Sequence, residues 1–244
     1  TERTAQKEHS TPLFLSSSFV YDSAEDMAAA FADDSLDVNI YSRFSNPSVD
    51  EFIQKVCLLE GAEDGIATAT GMAAVSACFM TFLSAGDHII SASAVFGSTH
   101  TILTKYLPKW GIEYSYFDMN TPEEIESLIK PNTKVLYVET PSNPGLDIID
   151  LEYVSALCKK HNIIFIVDNC FATPAVQQPI QFGADLVLHL TEWKLYRELD
   201  LQSISDRVAN KVIIDGRNCL DLALWSNAGW QVTYLGKPGS QAAL

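Results

Sequence analysis

Four loops in this 244-residue chain place reactive side chains or amides where an apolar run gives way to polar residues. The run Ile163-Ile164-Phe165-Ile166-Val167 ends in Asp168-Asn169, and a carboxylate at a strand end can hold a cationic ligand, bind a metal or cap the next turn. Thr70-Gly71-Met72-Ala73-Ala74 leads from an apolar stretch into a helix pattern, so the amides of Gly71 and Met72 would face any anion at that helix N-terminus, phosphate included. A plain turn glycine is the alternative there. In Glu139-Thr140-Pro141-Ser142-Asn143-Pro144 two prolines fix the backbone around Asn143, whose amide could then bond an oxygen or a carboxylate; a rigid turn without function is the other reading. Phe96-Gly97-Ser98-Thr99 offers an aromatic face at the same edge, or simply a core phenylalanine.

Strands alternating with helices must position these loops. After an irregular polar arm to about Asn46, Pro47–Glu60 carries apolar residues at helical spacing, then come a short strand Gly65–Ala69 and a helix Gly71–Leu83. The pattern continues with strand His88–Ser93, helix Thr99–Lys109, strand Ile112–Phe117, helix Thr121–Ile129, strand Val135–Glu139, helix Leu151–His161 and strands Ile163–Asp168 and Leu186–Leu190. Thr121-Pro122-Glu123-Glu124 reads as a capped helix start with acids suited to the dipole. Near-continuous apolar strands fit a parallel sheet covered on both faces, which binds ligands at its carboxyl ends. The fold class is open-sheet α/β.

Composition narrows the partners. Sixteen basic against 31 acidic residues give a net charge of −15, which argues against nucleic acid and anionic membranes. Apolar residues make up 47%, enough for one large core or one core with an appendage. Cys57, Cys78, Cys158, Cys170 and Cys219 are odd in number and lack a C-x-x-C pair, as expected of reduced thiols in a cytoplasmic protein. No apolar run approaches the ~20 residues of a membrane span, the polar start lacks a signal-peptide profile, and no metal is expected.

Taken in order, Tyr41-Ser42-Arg43-Phe44-Ser45-Asn46-Pro47, Thr70-Gly71-Met72-Ala73-Ala74, Phe96-Gly97-Ser98-Thr99, Glu139-Thr140-Pro141-Ser142-Asn143-Pro144 and Val167-Asp168-Asn169 with Phe171-Ala172-Thr173-Pro174 resemble the cysteine/methionine-metabolism family of pyridoxal-phosphate (PLP) enzymes over about residues 8–189. Phe96, where other members carry tyrosine, is most similar to the O-acylhomoserine sulfhydrylases, the O-succinylhomoserine type above all. The resemblance implies the large domain of a PLP-dependent transferase of the aspartate-aminotransferase type I fold, incomplete here and extended by a short α/β tail. The expected layout is an arm over 1–46, the PLP-binding domain over 47–189 and the tail over 190–244.

It further implies that Asp168 keeps the pyridine nitrogen protonated so that the ring acts as an electron sink, that Phe96 stacks on the cofactor, and that Gly71 and Met72 hold its phosphate. Tyr41 and Arg43 would reach the phosphate of a neighbouring subunit, which implies a homo-oligomer. Asn143 would sit near the ring oxygen with Glu139 beside it, the latter taken as catalytic, and Thr173 and His189 match pocket positions. The substrate implied is an activated homoserine, whose acyl group a sulfur nucleophile replaces in a γ-replacement of the transsulfuration type.

A departure follows His189. The family continues there into Ser-Ala-Thr-Lys-Tyr, whose lysine forms the Schiff base, whereas this chain reads Leu190-Thr191-Glu192-Trp193-Lys194. Lys194 is thus one residue late; in a strand that slip turns the side chain to the opposite face, while in a loop its four-carbon stem could still reach. Glu192 also puts negative charge where the family holds phosphate. Impaired turnover is expected.

From about 187 to 240 the chain instead resembles the C-terminal UDP-binding region of UDP-glucose dehydrogenases, through Val212-Ile213-Ile214-Asp215-Gly216-Arg217-Asn218 and Gly229-Trp230-Gln231-Val232-Thr233-Tyr234-Leu235-Gly236. A helix over Asp200–Ala209, a strand Val212–Ile214, a helix Leu220–Ser226 and a strand Val232–Leu235 are expected, with the strands extending the main sheet and Arg217 either binding a pyrophosphate or forming a structural ion pair. Three functions therefore compete: a PLP enzyme of sulfur amino-acid metabolism, a chimeric PLP- or nucleotide-binding protein without turnover, and an NAD-dependent or UDP-sugar-binding module.

Overall fold

Parallel pairing organises the main body of the chain. The computed structural model describes residues 7, 9–10, 12–33, 38–188, 212–215 and 222–234. Strands β1 (His88–Ala92), β2 (Glu113–Phe117), β3 (Thr133–Glu139), β4 (Ile164–Asp168) and β5 (Leu186–Leu188) form one sheet in the order β2-β1-β3-β4-β5, every pair parallel. Val135, Leu136, Tyr137 and Val138 are all fully buried. Successive strand residues face opposite sides, so both faces of β3 are covered.

The helices are explained by their ends. In α2 (Pro47–Glu60) the Asn46 side chain accepts from the Ser48 amide at 2.9 Å, and Gly61 stops the helix at φ 73°. In α3 (Gly71–Phe82) the Thr70 hydroxyl accepts from the Ala73 amide at 3.1 Å. The crossover helix α6 (Leu151–His161) is capped by Asp150, ends with Lys159, Lys160 and His161, and buries Leu151, Val154, Leu157 and Cys158 at helical spacing.

At the amino end of the sheet, His88 ties three strands together. Its Nδ1 lies 2.8 Å from Thr133 Oγ1 and its Nε2 2.9 Å from Ser115 Oγ. Thr133 Oγ1 also accepts from the Lys130 amide at 2.8 Å, which ties the turn before β3 into the same network. Burial, with Lys130 nearby, holds the His88 pKa below the usual value.

Several expectations change. The arm before Asn46 contains a nine-residue helix, α1 (Ala24–Ala32), capped by Ser23; Ala24, Met27, Ala28 and Phe31 recur at helical spacing, although Ala30 is its buried residue. Residues 65–69 form no strand: Ile66 is 90% exposed, and among the described residues no strand pairs with the segment. The helix expected over Thr99–Lys109 is α4 (Gly97–Thr101) followed by a π turn (Ile102–Tyr106) and a 3-10 turn (Leu107–Trp110), because Pro108 has no N–H to continue the helix and Gly111 reverses the chain at φ 73°. Thr121 supplies no side-chain cap; a 3-10 turn (Pro122–Glu124) precedes the short α5 (Ile125–Leu128), and Thr121 contributes only its carbonyl, to the Glu124 amide.

By its contacts the chain divides into two units, Thr1–Thr191 and Glu192–Leu244. In the second, β6 (Val212–Asp215) and β7 (Gln231–Tyr234) pair in parallel as a separate two-stranded sheet, with α7 (Leu222–Asn227) between them in sequence. Trp225 and Trp230 meet edge to face at 5.1 Å and are both buried. The tail strands thus pair with each other instead of extending the main sheet, since each supplies the other's ladder partners. The helix expected over Asp200–Ala209 and Arg217 lie outside the described residues.

Phe165, fully buried on β4, tests the main core. Phe165→Ala is expected to cost about 3–5 kcal/mol of unfolding free energy, measured by urea denaturation.

Candidate active site

Because every strand of the main sheet runs the same way, the loops after β1, β3 and β4 open on one edge. The register pairs Glu139 of β3 with Asp168 of β4, setting two carboxyl groups side by side, with 2% and 1% of their surface exposed. Alternation puts Tyr137 on the same face as Glu139. Its ring meets Phe79 of α3 edge to face at 5.3 Å, so α3 covers this face.

Asp168 accepts two hydrogen bonds, from the Tyr137 hydroxyl to Oδ2 at 2.9 Å and from the Cys170 amide to Oδ1 at 3.1 Å. Burial pushes its pKa up to about 6 against the pull of those two donors. Glu139 Oε2 accepts from the Phe96 amide at 2.7 Å, and burial next to Asp168 pushes the Glu139 carboxyl up to about 8. Environment thus separates two adjacent acids, so that near neutrality Asp168 is the one that carries charge. Burial, and to a smaller extent the Asp168 charge, also raises the Cys78 thiol on α3 to about 11.

Side-chain amides lock the surrounding loops. Asn169 Nδ2 donates to Glu60 Oε1 at 3.1 Å and to the Gln177 carbonyl at 2.8 Å. Gln177 Nε2 donates to Asn169 Oδ1 and to the Thr140 carbonyl, both at 2.9 Å. In the loop after β3, the Ser142 hydroxyl donates to Asp147 Oδ2 at 2.8 Å and accepts from the Asp147 amide at 2.9 Å, which fixes the backbone on both sides of Asn143. A Cβ on Gly145 would fall 2.5 Å from Asp147 Oδ2, so only glycine fits beside that latch. Asn143 itself is buried, at 8% exposure.

The structure therefore joins Glu139, Asp168 and Phe96 through direct hydrogen bonds or register, and holds Asn143 in the loop that begins at Thr140. Gly71 and Met72 supply the first amides of α3, ahead of the capped Ala73. Thr173 sits at φ 62° in the loop after β4, where it is exposed and its amide donates to the Asn169 carbonyl at 2.9 Å. Tyr41 and Arg43 form a cluster of their own: the Arg43 guanidinium lies 4.8 Å from the Tyr41 ring and 4.9 Å from that of Phe44, and Tyr41 bridges Ser18. His189 and Lys194 lie outside the described residues. Tyr137, Thr70, Gln177 and Glu60 were not singled out from the sequence. Tyr137 gave a signal, since it stands two positions before Glu139 in a strand and so shares its face, and so did Thr70, a capping residue type just ahead of a helix pattern.

With this geometry in place, comparison with known proteins is decisive. The profile of the Cys/Met metabolism PLP-dependent enzyme family matches residues 1–193. This chain belongs to that family. It is 42% identical to the O-succinylhomoserine sulfhydrylase of Pseudomonas aeruginosa over 187 residues, covering 77% of this chain and 46% of that protein. It is 40% identical to an L-methionine gamma-lyase of Fusobacterium nucleatum, covering 73% and 45% respectively. Among solved structures, a Campylobacter jejuni protein described as an O-acetylhomoserine (thiol)-lyase, which carries N'-pyridoxyl-lysine-5'-monophosphate, superposes with a TM-score of 0.74 at 34% identity over 78% of this chain and 47% of that one. The chain spans a little under half the length of these relatives. The α/β fold expected from the sequence is that of these family members.

The residues present fit the family's cofactor. A buried carboxylate suits a protonated ring nitrogen, and the uncapped amides at the start of α3 suit a phosphate.

One pH dependence follows from Glu139. Its folded-state pKa lies above the ordinary 4.5, so its contribution to stability is complete at low pH and is lost as pH rises through about 8. The stability difference between wild type and Glu139→Gln, from denaturant melts at several pH values, should therefore shift against the wild type as pH rises across that interval. A pH-independent difference would contradict this assignment.

Proposed function

We propose that this chain binds PLP at the carboxyl edge of β1, β3 and β4, in a protein that replaces the acyl group of an activated homoserine by a sulfur nucleophile. In the overall reaction the bond from Cγ to the ester oxygen breaks, a C–S bond forms at Cγ, and the acyl group leaves as a carboxylate. The buried, doubly bonded Asp168 carboxylate carries this reading. Bound PLP would supply an electron sink for carbanions of the amino-acid substrate.

The chain's own residues would then divide the work. Asp168 would hold the proton of the ring nitrogen, Gly71 and Met72 would bind the phosphate, Phe96 would stack on the ring, and Asn143 would bond the ring oxygen. Glu139 holds the Phe96 amide and so places that ring. Thr173 and His189 would line the pocket. Lys194 is the candidate amine for covalent attachment, one residue beyond the family's position. The alternative is binding of PLP, or of a nucleotide at the Glu192–Leu244 unit, without turnover.

Incubating the full chain with PLP, reducing with borohydride and mapping peptides separates these readings. A label on Lys194 supports turnover, saturable binding without a label supports PLP binding without turnover, and no uptake at all sinks both PLP readings. Asp168→Asn is expected to weaken uptake about tenfold or more, because a charge-assisted hydrogen bond is lost. Retention on a UDP-sugar matrix would favour the nucleotide reading.

We also infer a homo-oligomer in which Tyr41 and Arg43 reach a neighbour's phosphate. Its support is apolar surface: Leu58 at the end of α2 is 83% exposed and Ile66 90%, and Gly65 lies against Ile53 and Cys57 of the same helix. Sedimentation velocity should show a dimer or larger species that Leu58→Glu with Ile66→Glu converts to monomer; a monomeric wild type would overturn the inference.

A further inference from the structure

We infer that Tyr137 is a positioning residue for Asp168, its hydroxyl fixing the Oδ2 oxygen so that the carboxylate presents one orientation to the cationic group it serves. The inference rests on the proposed role of Asp168 at the ring nitrogen. Tyr137 is fully buried, its ring is clamped by Phe79, and its hydroxyl donates to Oδ2 at 2.9 Å. The Cys170 amide holds Oδ1. With one donor on each oxygen, the carboxyl group cannot rotate without losing both bonds, and each oxygen keeps a lone pair for a further partner.

Three properties distinguish this contact from ordinary packing. The Tyr137 phenol is held well above its ordinary pKa by burial first and then by the Asp168 carboxylate it bonds, so it remains a donor near neutrality. Its contact with α3 puts the residue that aims Asp168 against the helix whose first amides face the proposed phosphate site. And its bond to Oδ2 stabilises the ionised form of a carboxyl that burial disfavours. The other groups facing Asp168 are Glu139 from β3, Cys78 from α3 and the Cys170 amide from its own loop. Of the two side chains in this set that donate or share charge with it from β3, Tyr137 favours the carboxylate and Glu139, when ionised, opposes it.

The test is the titration of Asp168 in the full chain without cofactor, followed by carbon NMR of the aspartate carboxyls and assigned by the signal lost in Asp168→Asn. Wild type should titrate near pH 6. Tyr137→Phe keeps the ring and removes the hydroxyl, and should move the midpoint upward by about one pH unit. Its melting temperature reports separately on packing. Should that variant fail to fold, 3-fluorotyrosine at position 137, a stronger donor of nearly equal size, should move the midpoint downward. An unmoved midpoint in a folded variant overturns the inference. PLP uptake is read independently: a wild type that takes up no PLP while its Asp168 midpoint follows Tyr137 sinks the proposed function and leaves the Tyr137 link standing, whereas uptake with an unmoved midpoint sinks the link alone.

Discussion

The pairing of β3 with β4 puts Glu139 beside Asp168, and the rest of the main body can be understood as what makes that juxtaposition tolerable. Two carboxyl groups leaving water together would be prohibitive if both stayed charged. The chain resolves the conflict by giving them different partners. Asp168 receives a phenol and an amide, Glu139 receives the Phe96 amide, and burial beside Asp168 raises the Glu139 carboxyl the further of the two. Those donors arrive from β3 itself, from the loop after β1 and from the turn after β4. The strand order β2-β1-β3-β4-β5 is therefore also the wiring of the site.

Elements with a period and a clean stop were legible in the sequence. α2, α3 and α6 begin at Asn46, Thr70 and Asp150, whose side chains accept backbone amides, and their apolar faces repeat at helical spacing. The strands of the main sheet are apolar runs, and Glu139 and Asp168 could be placed at the ends of two of them from the sequence pattern. Less legible was whatever depends on a neighbour distant in sequence. Residues 65–69 have strand composition yet need a partner to become a strand, and the tail strands chose each other because register is a pairwise property. Tyr137 reads as one more core residue until the register shows its hydroxyl on Asp168, and Gln177 is silent until the fold brings Thr140 and Asn169 to it.

The family relationship and the local physics make different demands on the chain. Membership rests on residues 1–193. Lys194, the amine proposed for covalent attachment, stands in the run Glu192-Trp193-Lys194, where Glu192 adds negative charge. Holding a cofactor and turning it over are separable properties: in the proposed reading the former would rest on Asp168, Phe96 and the α3 amides, and the latter on a nucleophilic amine as well.

Gln177 takes no part in any bond to a ligand proposed above, yet it determines how the site meets one. Its amide binds the chain after β3 to the chain after β4, while Asn169 carries the connection on to Glu60 at the end of α2. Segments distant in sequence are thereby welded into a single rigid rim before anything binds. A ligand entering such a rim loses its own freedom but need not freeze the loops as well, so the entropy of ordering them has already been met during folding.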